Sequence, residues 1–501
     1  MEKLILAIDQ GTTATTVLVI NKSLQIVAKE SMEVLPTYPQ AGWVEHDLNQ
    51  IWEATLHAIK NILQNNSIAP AQIIAIGITN QRETVGAWSK KTMIPAAKAI
   101  VWQCRRTTDR CNELSRSGHA QMIKEKTGLV LDPYFSASKV EWFLKNIPGL
   151  STKASNGEIA FGTIDSFLVY RMTCGAAHIT DVSNASRTML MDLKTLSWDQ
   201  DLLKLFSIPE NTLPEIKESA EIYGRTKAMQ ILPDGIPICG ILGDQQAALF
   251  GQLCTNYGDT KCTYGTGSFL MCNTGKNIVY SQNGLLTTLA WKLKGEVNYA
   301  LEGSVFVAGA AVQWLRDGLG IIKNSSEIGS LACQAENKDM GDLVFVPALT
   351  GLGAPYWNAE ARGLIYGITR GTNKFHLARA TLEGIAHQND DLFTAIREDL
   401  GNSLNTIKVD GGASANNFLM QYQSDLANVP LARPKILETT ALGAAMAAGL
   451  AVGFWPDISA LQKSWQLDET FQPQMDQQCR DKKKRLWKTA IMRVNLETKY
   501  Q

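Results

Sequence analysis

The chain opens with two short apolar runs, Leu4-Ile5-Leu6-Ala7-Ile8 and Val17-Leu18-Val19-Ile20, separated by Asp9-Gln10-Gly11-Thr12-Thr13. Apolar runs of this length around a Gly-Thr cluster read as a strand, a tight turn and a second strand. Gln25-Ile26-Val27-Ala28 adds a third strand and completes an antiparallel meander. The same shape returns at Lys261-Cys262-Thr263-Tyr264-Gly265-Thr266-Gly267-Ser268-Phe269-Leu270-Met271, in different letters. The recurrence predicts two similar α/β halves with a ligand cleft between them.

A length of 501 residues agrees with more than one domain. Gly251 and Gly258 punctuate the chain between the halves, so the division is expected at 1–253 and 254–501. The composition, 45% hydrophobic and 19% charged with zero net charge, can build a large core and shows no basic excess for nucleic acid. The first apolar run is too short for a signal h-region. No apolar stretch approaches the roughly 20 residues of a membrane span. Nine cysteines without a CxxC pair fit free thiols in a reducing cytoplasm. The run Arg480-Asp481-Lys482-Lys483-Lys484-Arg485 reads as a solvated helix face.

Between these landmarks, apolar spacing predicts a helix over 48–63 with Asp47 as its cap, and a continuous apolar run predicts a buried, parallel strand at Ile73–Thr79. Further strands are expected near 285–294, 297–301, 343–346 and 407–410, and a helix over 376–398. The segment 442–450 is an Ala/Gly-rich helix suited to close packing.

Three Gly-rich turns follow apolar strands, at 11–13, 265–267 and 411–412. Such turns let a backbone approach phosphates closely, and Asp9 offers a hard oxygen to Mg²⁺; an ordinary polar hairpin reads the same letters equally well. Neither GxxxxGK[ST] nor a GxGxxG after a strand is present, which argues against a P-loop enzyme and a Rossmann dehydrogenase. GxSxG and HExxH are also missing. Asp244 stands where a strand ending in Gly243 meets a helix, as a helix cap or as a general base for a hydroxyl nucleophile. Arg82 and Glu83 end the strand 73–78, as a surface ion pair or as a bracket for vicinal hydroxyls. Trp102, Tyr134 and Phe269 are either core aromatics or apolar walls for a carbon chain.

The stretches Asp9-Gln10-Gly11-Thr12-Thr13, Gly42-Trp43-Val44-Glu45-His46-Asp47, Ile78-Thr79-Asn80-Gln81-Arg82-Glu83 and Val101-Trp102-Gln103-Cys104-Arg105-Arg106 resemble the FGGY family of carbohydrate kinases. So do Gly128–Ser136, Asn184-Ala185-Ser186-Arg187-Thr188, Gly243-Asp244-Gln245-Gln246, Gly351–Trp357 and Val409-Asp410-Gly411-Gly412. Within the family, Asn-Gln-Arg-Glu with Trp-Gln-Cys-Arg-Arg marks the branch that acts on glycerol. The resemblance implies two actin-like, ribonuclease-H-type domains closing on a cleft, and ATP-dependent phosphorylation of glycerol to sn-glycerol 3-phosphate. It implies Asp244 as base; Arg82, Glu83, Trp102, Tyr134, Asp244, Gln245 and Phe269 around glycerol; and Asp9 serving Mg²⁺. It assigns Thr12, Thr13, Ala14, Thr16, Thr266, Gly309, Gln313, Gly412 and Asn416 to ATP or ADP. A homo-oligomer, dimer or tetramer, is expected. Members of this branch often carry arginine where this chain has Thr16, and some carry a glycine-rich basic loop for an inhibitory sugar bisphosphate. The corresponding stretch Lys227–Gly235 lacks that character, so such inhibition is not expected. The alternatives are a kinase for another small polyol or ketose, and an actin- or chaperone-like ATPase that needs no small alcohol.

Overall fold

The computed structural model describes residues 2–335, 340–401 and 404–496. The first half builds a sheet from β1 (Leu4–Gln10), β2 (Ala14–Ile20), β3 (Ile26–Glu33), β4 (Ile73–Asn80), β5 (Gly224–Arg225) and β6 (Pro237–Gly243), in the order β5-β6-β4-β1-β2-β3. β1, β2 and β3 form the expected antiparallel meander, while β4 runs parallel to β1 and β6 parallel to β4. The helix α1 (Leu48–Asn65) starts at Asp47, whose carboxylate accepts the Asn49 N–H at 2.8 Å. A second helix, α2 (Asp244–Gly251), follows β6 directly.

The second half contains β7 (Thr260–Tyr264), β8 (Ser268–Gly275), β9 (Leu286–Leu293), β10 (Glu296–Val305), α3 (Lys374–Leu400), β11 (Ile407–Asp410), α4 (Asn417–Ala427), β12 (Leu431–Pro434), α5 (Thr439–Ala451), β13 (Leu467–Phe471) and α6 (Gln477–Leu496). Its sheet runs β9-β10-β8-β7-β11-β12-β13. The segment β10-β8-β7-β11-β12 repeats β3-β2-β1-β4-β6, with two antiparallel pairings followed by two parallel ones. The repeat inferred from the two hairpins is therefore a repeat of topology. The strand expected near 343–346 forms as Val344–Val346, but it pairs with Leu364–Tyr366 in a separate ribbon.

The run Leu4–Ile8 of β1 can be apolar throughout because both its faces are covered, and successive side chains alternate between them. Leu4, Leu6 and Ile8 pack with α1, whereas Ile5 and Ala7 pack with α5 from the second half. α5 must lie very close to do so. A Cβ on Gly443 would sit 1.9 Å from the Ala247 carbonyl oxygen on α2, and one on Gly77 of β4 would sit 2.3 Å from that of Ala444. The Ala/Gly composition of α5 thus reflects backbone-to-backbone contact between the halves. In exchange, α2 packs against β7 and β8.

A four-stranded sheet of Glu45–His46, Val85–Ser89, Ala99–Ile100 and Ile159–Thr163 extends the first half and carries the core in which Tyr134 sits. The charged run of α6 is solvated at Asp481, Lys482 and Arg485 as expected, but Lys483 and Lys484 depart from that reading. Lys483 pairs with Glu383 at 3.0 Å and Lys484 with Asp390 at 2.7 Å, both acids buried on α3. Among the described residues no helix is long and apolar enough to cross a membrane.

Candidate active site

Because β4 and β6 are parallel, with Asn80 opposite Gly243, their C-terminal ends lie side by side. The residues that follow are Arg82–Glu83 and Asp244, and Arg82 Nε stands 3.0 Å from Asp244 Oδ1. Gly243 occupies the cap position of α2 and Asp244 is its first residue, so the cap reading of Asp244 does not hold. Its side chain remains 31% exposed. Burial pushes its pKa up, against the opposing pull of Arg82 and Lys261. A raised carboxylate pKa lies nearer the operating range of a general base.

Arg82 and Glu83 form no surface pair: both are buried. Arg82 Nη1 and Nη2 donate to the two carboxylate oxygens of Glu302 at 2.5 and 3.0 Å, and Nη1 also to Gln246 Oε1 at 3.1 Å. Arg187 Nε donates to Glu83 Oε1 at 2.7 Å and its Nη2 to Glu302 Oε1 at 2.9 Å. Two arginines and two glutamates thus close a buried network. Burial opposes ionisation of Glu302, but Arg187 and Arg82 prevail and hold its carboxyl down at about 2. Glu83 is pushed up by burial against the same two cations, and its backbone takes φ +61°, rare for a residue with a Cβ and often found at functional sites.

Trp102, Tyr134 and Phe269 come together in one aromatic wall, with Tyr134 in the core of the first half. The Trp102 ring meets Tyr134 edge-on at 5.7 Å and Phe269 at 6.4 Å. Trp102 Nε1 donates to Thr12 Oγ1 at 2.9 Å, which ties the wall to the β1–β2 turn. Gln81 Nε2 donates to the Gly11 carbonyl at 3.0 Å and Gln10 Oε1 at 3.1 Å, bracing the same turn from β4. Asp9, at the mouth of the turn, has its carboxyl raised to about 7 by burial and then by the charges of Asp244 and Glu438. Thr16 lies opposite Asp9 on β2, with its hydroxyl 3.0 Å from that of Ser31. Ala14 closes the turn by accepting the Gly11 N–H at 2.9 Å.

On the second half, a cavity of about 730 Å³ is lined by Thr266, Gly309, Gln313, Gly412 and Asn416, together with α4 and part of α3. These five are the residues expected at the nucleotide from the second half. The backbone is bare where it must be: a Cβ on Gly309 would lie 2.7 Å from the Gly265 carbonyl oxygen, and one on Gly411 2.6 Å from that of Tyr264. Thr12, Thr13, Ala14 and Thr16 do not line this cavity; they belong to the first half, where Thr12 meets Trp102 and Thr16 pairs with Asp9.

Sequence reasoning gave no role to Glu302, Lys261 or Gln81, and quoted Arg187 without one. A usable signal existed for Glu302. It is a lone carboxylate inside the apolar run Tyr299-Ala300-Leu301-Glu302-Gly303-Ser304-Val305, and a buried charge requires a partner.

Two topologically equivalent domains, one with a buried cluster of charges at its strand ends and the other with a glycine-lined cavity, have the architecture of the actin-like kinases. Residues 4–251 match the FGGY family of carbohydrate kinases, N-terminal domain, and residues 260–452 match its C-terminal domain. The chain belongs to this family. It is 52% identical over 494 residues to the glycerol kinase of Myxococcus xanthus, covering 98% of this chain and 99% of that one. It is 52% identical over 495 residues to the glycerol kinase of Bdellovibrio bacteriovorus, covering 99% and 100%. The crystal structure of Plasmodium falciparum glycerol kinase with ADP superposes with a TM-score of 0.91 at 38% identity, covering 98% of both chains.

Proposed function

We propose that this protein transfers the terminal phosphoryl group of ATP to glycerol, giving sn-glycerol 3-phosphate and ADP. The observation that carries the reading is the Asp244–Arg82 pair beside the wall of Trp102, Tyr134 and Phe269. Small polyols offer hydroxyls that both donate and accept, and a short carbon chain that favours an apolar face. Arg82 donates, Glu83 and Asp244 accept, Gln245 can do both, and the rings cover the carbons. The Asp244 carboxylate takes the proton of the attacking hydroxyl as its oxygen bonds to the terminal phosphorus and the bond to the ADP oxygen breaks.

The second-half cavity, at about 730 Å³, lies within the usual range of roughly 300–1,000 Å³ for small-molecule sites, and we assign it to the nucleotide. Thr266, Gly309, Gln313, Gly412 and Asn416 form that side, and Thr12, Thr13, Ala14 and Thr16 approach the phosphates from the first half. Asp9 suits Mg²⁺, held directly or through water. Burial first, and then the charges of Asp244 and Glu438, make its negative form costly, and a divalent cation would relieve that cost. Among the described residues no three His, Cys, Asp or Glu side chains form a cage, which fits an ion that takes one or two carboxylates and completes its shell with water and phosphate oxygens. When bound, the ion neutralises charge on the phosphates. We place the division between the domains at 253/254. We also propose a cytoplasmic homo-oligomer, dimer or tetramer, in keeping with the nine free cysteines for the compartment and with the family resemblance for the assembly.

A coupled assay of ADP release with and without glycerol tests the reading. ADP formation should depend on glycerol and exceed that with xylulose or erythritol. Faster turnover of either would make the protein a kinase for that substrate, and turnover independent of any alcohol would make it an ATPase.

A further inference from the structure

Lys261 lies on β7 and is fully buried. Its Nζ donates to Gln245 Oε1 at 2.5 Å, to Thr263 Oγ1 at 2.9 Å and to the Phe269 carbonyl at 3.3 Å. An ammonium has three protons, and here all three meet protein acceptors, so none is left over for a phosphate. Two of the acceptors belong to the second half. The third, Gln245, belongs to α2 and follows Asp244 in the chain. The ammonium therefore joins the residue beside the proposed base to the strand pair that carries the Phe269 wall.

The chemistry of this contact also fixes a direction. An ammonium accepts no hydrogen bond, so the side-chain oxygen of Gln245 must face Lys261 and its NH₂ group must point elsewhere. Gln246 takes no part in this arrangement, since its amide is engaged with Arg82 and the Leu289 carbonyl. We propose that Lys261 is a positioning residue for the acceptor substrate: it holds the Gln245 amide so that the NH₂ group is offered to a substrate oxygen, and it couples that amide to the Phe269 wall. This deepens the glycerol kinase reading and rests on it. Free rotation of the amide would present oxygen or nitrogen without preference, and the pocket would lose a fixed donor.

The test uses the full chain, measuring initial rates of ADP formation with glycerol and ATP varied separately, for Lys261→Met, Gln245→Ala and the double variant. Loss of one oriented hydrogen bond is expected to raise the glycerol KM about tenfold in either single variant, with the ATP KM changed by no more than about twofold. The double variant should be no more than about twofold worse than the poorer single one, because the lysine acts through the amide. A glycerol KM unchanged in Lys261→Met, single effects that multiply in the double, or a rise in ATP KM instead would each overturn the inference. If melting curves show that Lys261→Met does not fold, Gln245→Glu decides. It keeps an oxygen for the lysine but has no NH₂, so the glycerol KM should rise by a similar factor, and an unchanged KM overturns the inference. An unaltered protein that turns over no glycerol overturns the functional reading and this inference with it. An active parent with an unaffected Lys261→Met overturns the inference alone.

Discussion

At equivalent points of one topology the two halves carry opposite chemistry. Beyond β4 the chain presents Arg82 and Glu83, buried and locked by ion pairs; beyond its counterpart β11 it presents Gly411 and Gly412. The β1–β2 turn carries a carboxylate at its mouth, and the β7–β8 turn reads Gly-Thr-Gly. Parallel strands deliver these loops to the same end of each sheet, so topology settles where a ligand binds. Residue type settles which ligand. A small neutral polyol has few atoms, so each must meet a fixed, strong partner, and charge-assisted bonds supply that strength. A nucleotide is large and its phosphates accept from backbone N–H groups, so the side proposed for it is built by leaving side chains out.

The sharpest way to break this comparison is to remove the first half's chemistry while leaving the second's intact. Asp244→Asn keeps shape and removes the proposed base, so kcat should fall by about 10³-fold, within the usual range for general-base catalysis, with ADP affinity nearly unchanged. Calorimetric titration with ADP beside a turnover assay reads both quantities. Near-normal turnover would exclude Asp244 as base.

Glu302 is the exception to the division, and it carries the next largest effect. It sits on β10 of the second half yet neutralises Arg82 and Arg187 of the first. Glu302→Gln leaves two buried guanidinium groups short of one charge, and breaking a buried pair costs about 3–5 kcal/mol. A lowered Tm and a drop of about a hundredfold in kcat/KM for glycerol are expected, the latter equivalent to about 2.7 kcal/mol. Unchanged values of both would show that the arginines need no anchor.

The converse substitution tests the glycine side. Gly411 has φ +83°, and a Cβ there would lie 2.6 Å from the Tyr264 carbonyl oxygen. Gly411→Ala should therefore shift the loop, at a cost of about 1–3 kcal/mol. The ATP KM is expected to rise about tenfold or more while the glycerol KM stays within about twofold. Equal damage to both would mean that the halves do not divide the two ligands.

What the sequence made legible follows from the same contrast. Strands β1, β4 and β6 were readable because burial on two faces demands continuous apolar runs, and α1 because Asp47 caps a periodic apolar face. The topological repeat could be read only in part, through its hairpins and β11 at 407–410, since β12 is four residues long and carries little pattern. Arg82, Glu83 and Asp244 stood out as polar residues at strand ends. Their supports did not: Glu302, Arg187 and Lys261 are brought in by pairing between distant strands or by contacts across the halves, which no local window contains. Lys483 and Lys484 of α6 escape a local reading for the same reason, as the buried acids they pair with lie on α3.

The smallest of the expected effects sharpens the contrast between the two turns. Asp9 has no counterpart at Gly265–Gly267, and its carboxyl is raised from 3.8 to about 7 by burial and by the nearby charges of Asp244 and Glu438. A cation needs the deprotonated form, so protons compete with it below that pKa and cease to do so above it. Mg²⁺ binding to the ADP complex should hardly change between pH 8 and 9, and should need about tenfold more Mg²⁺ at pH 6 than at pH 8. Trp102, hydrogen-bonded to Thr12 beside the turn, provides an intrinsic fluorescence reporter. The nucleotide's own phosphates also titrate, so Asp9→Asn supplies the control: it should bind Mg²⁺ more weakly and lose the part of the pH dependence that belongs to Asp9. If protein and variant show the same dependence, Asp9 does not serve the cation, and the two turns differ in sequence without differing in work.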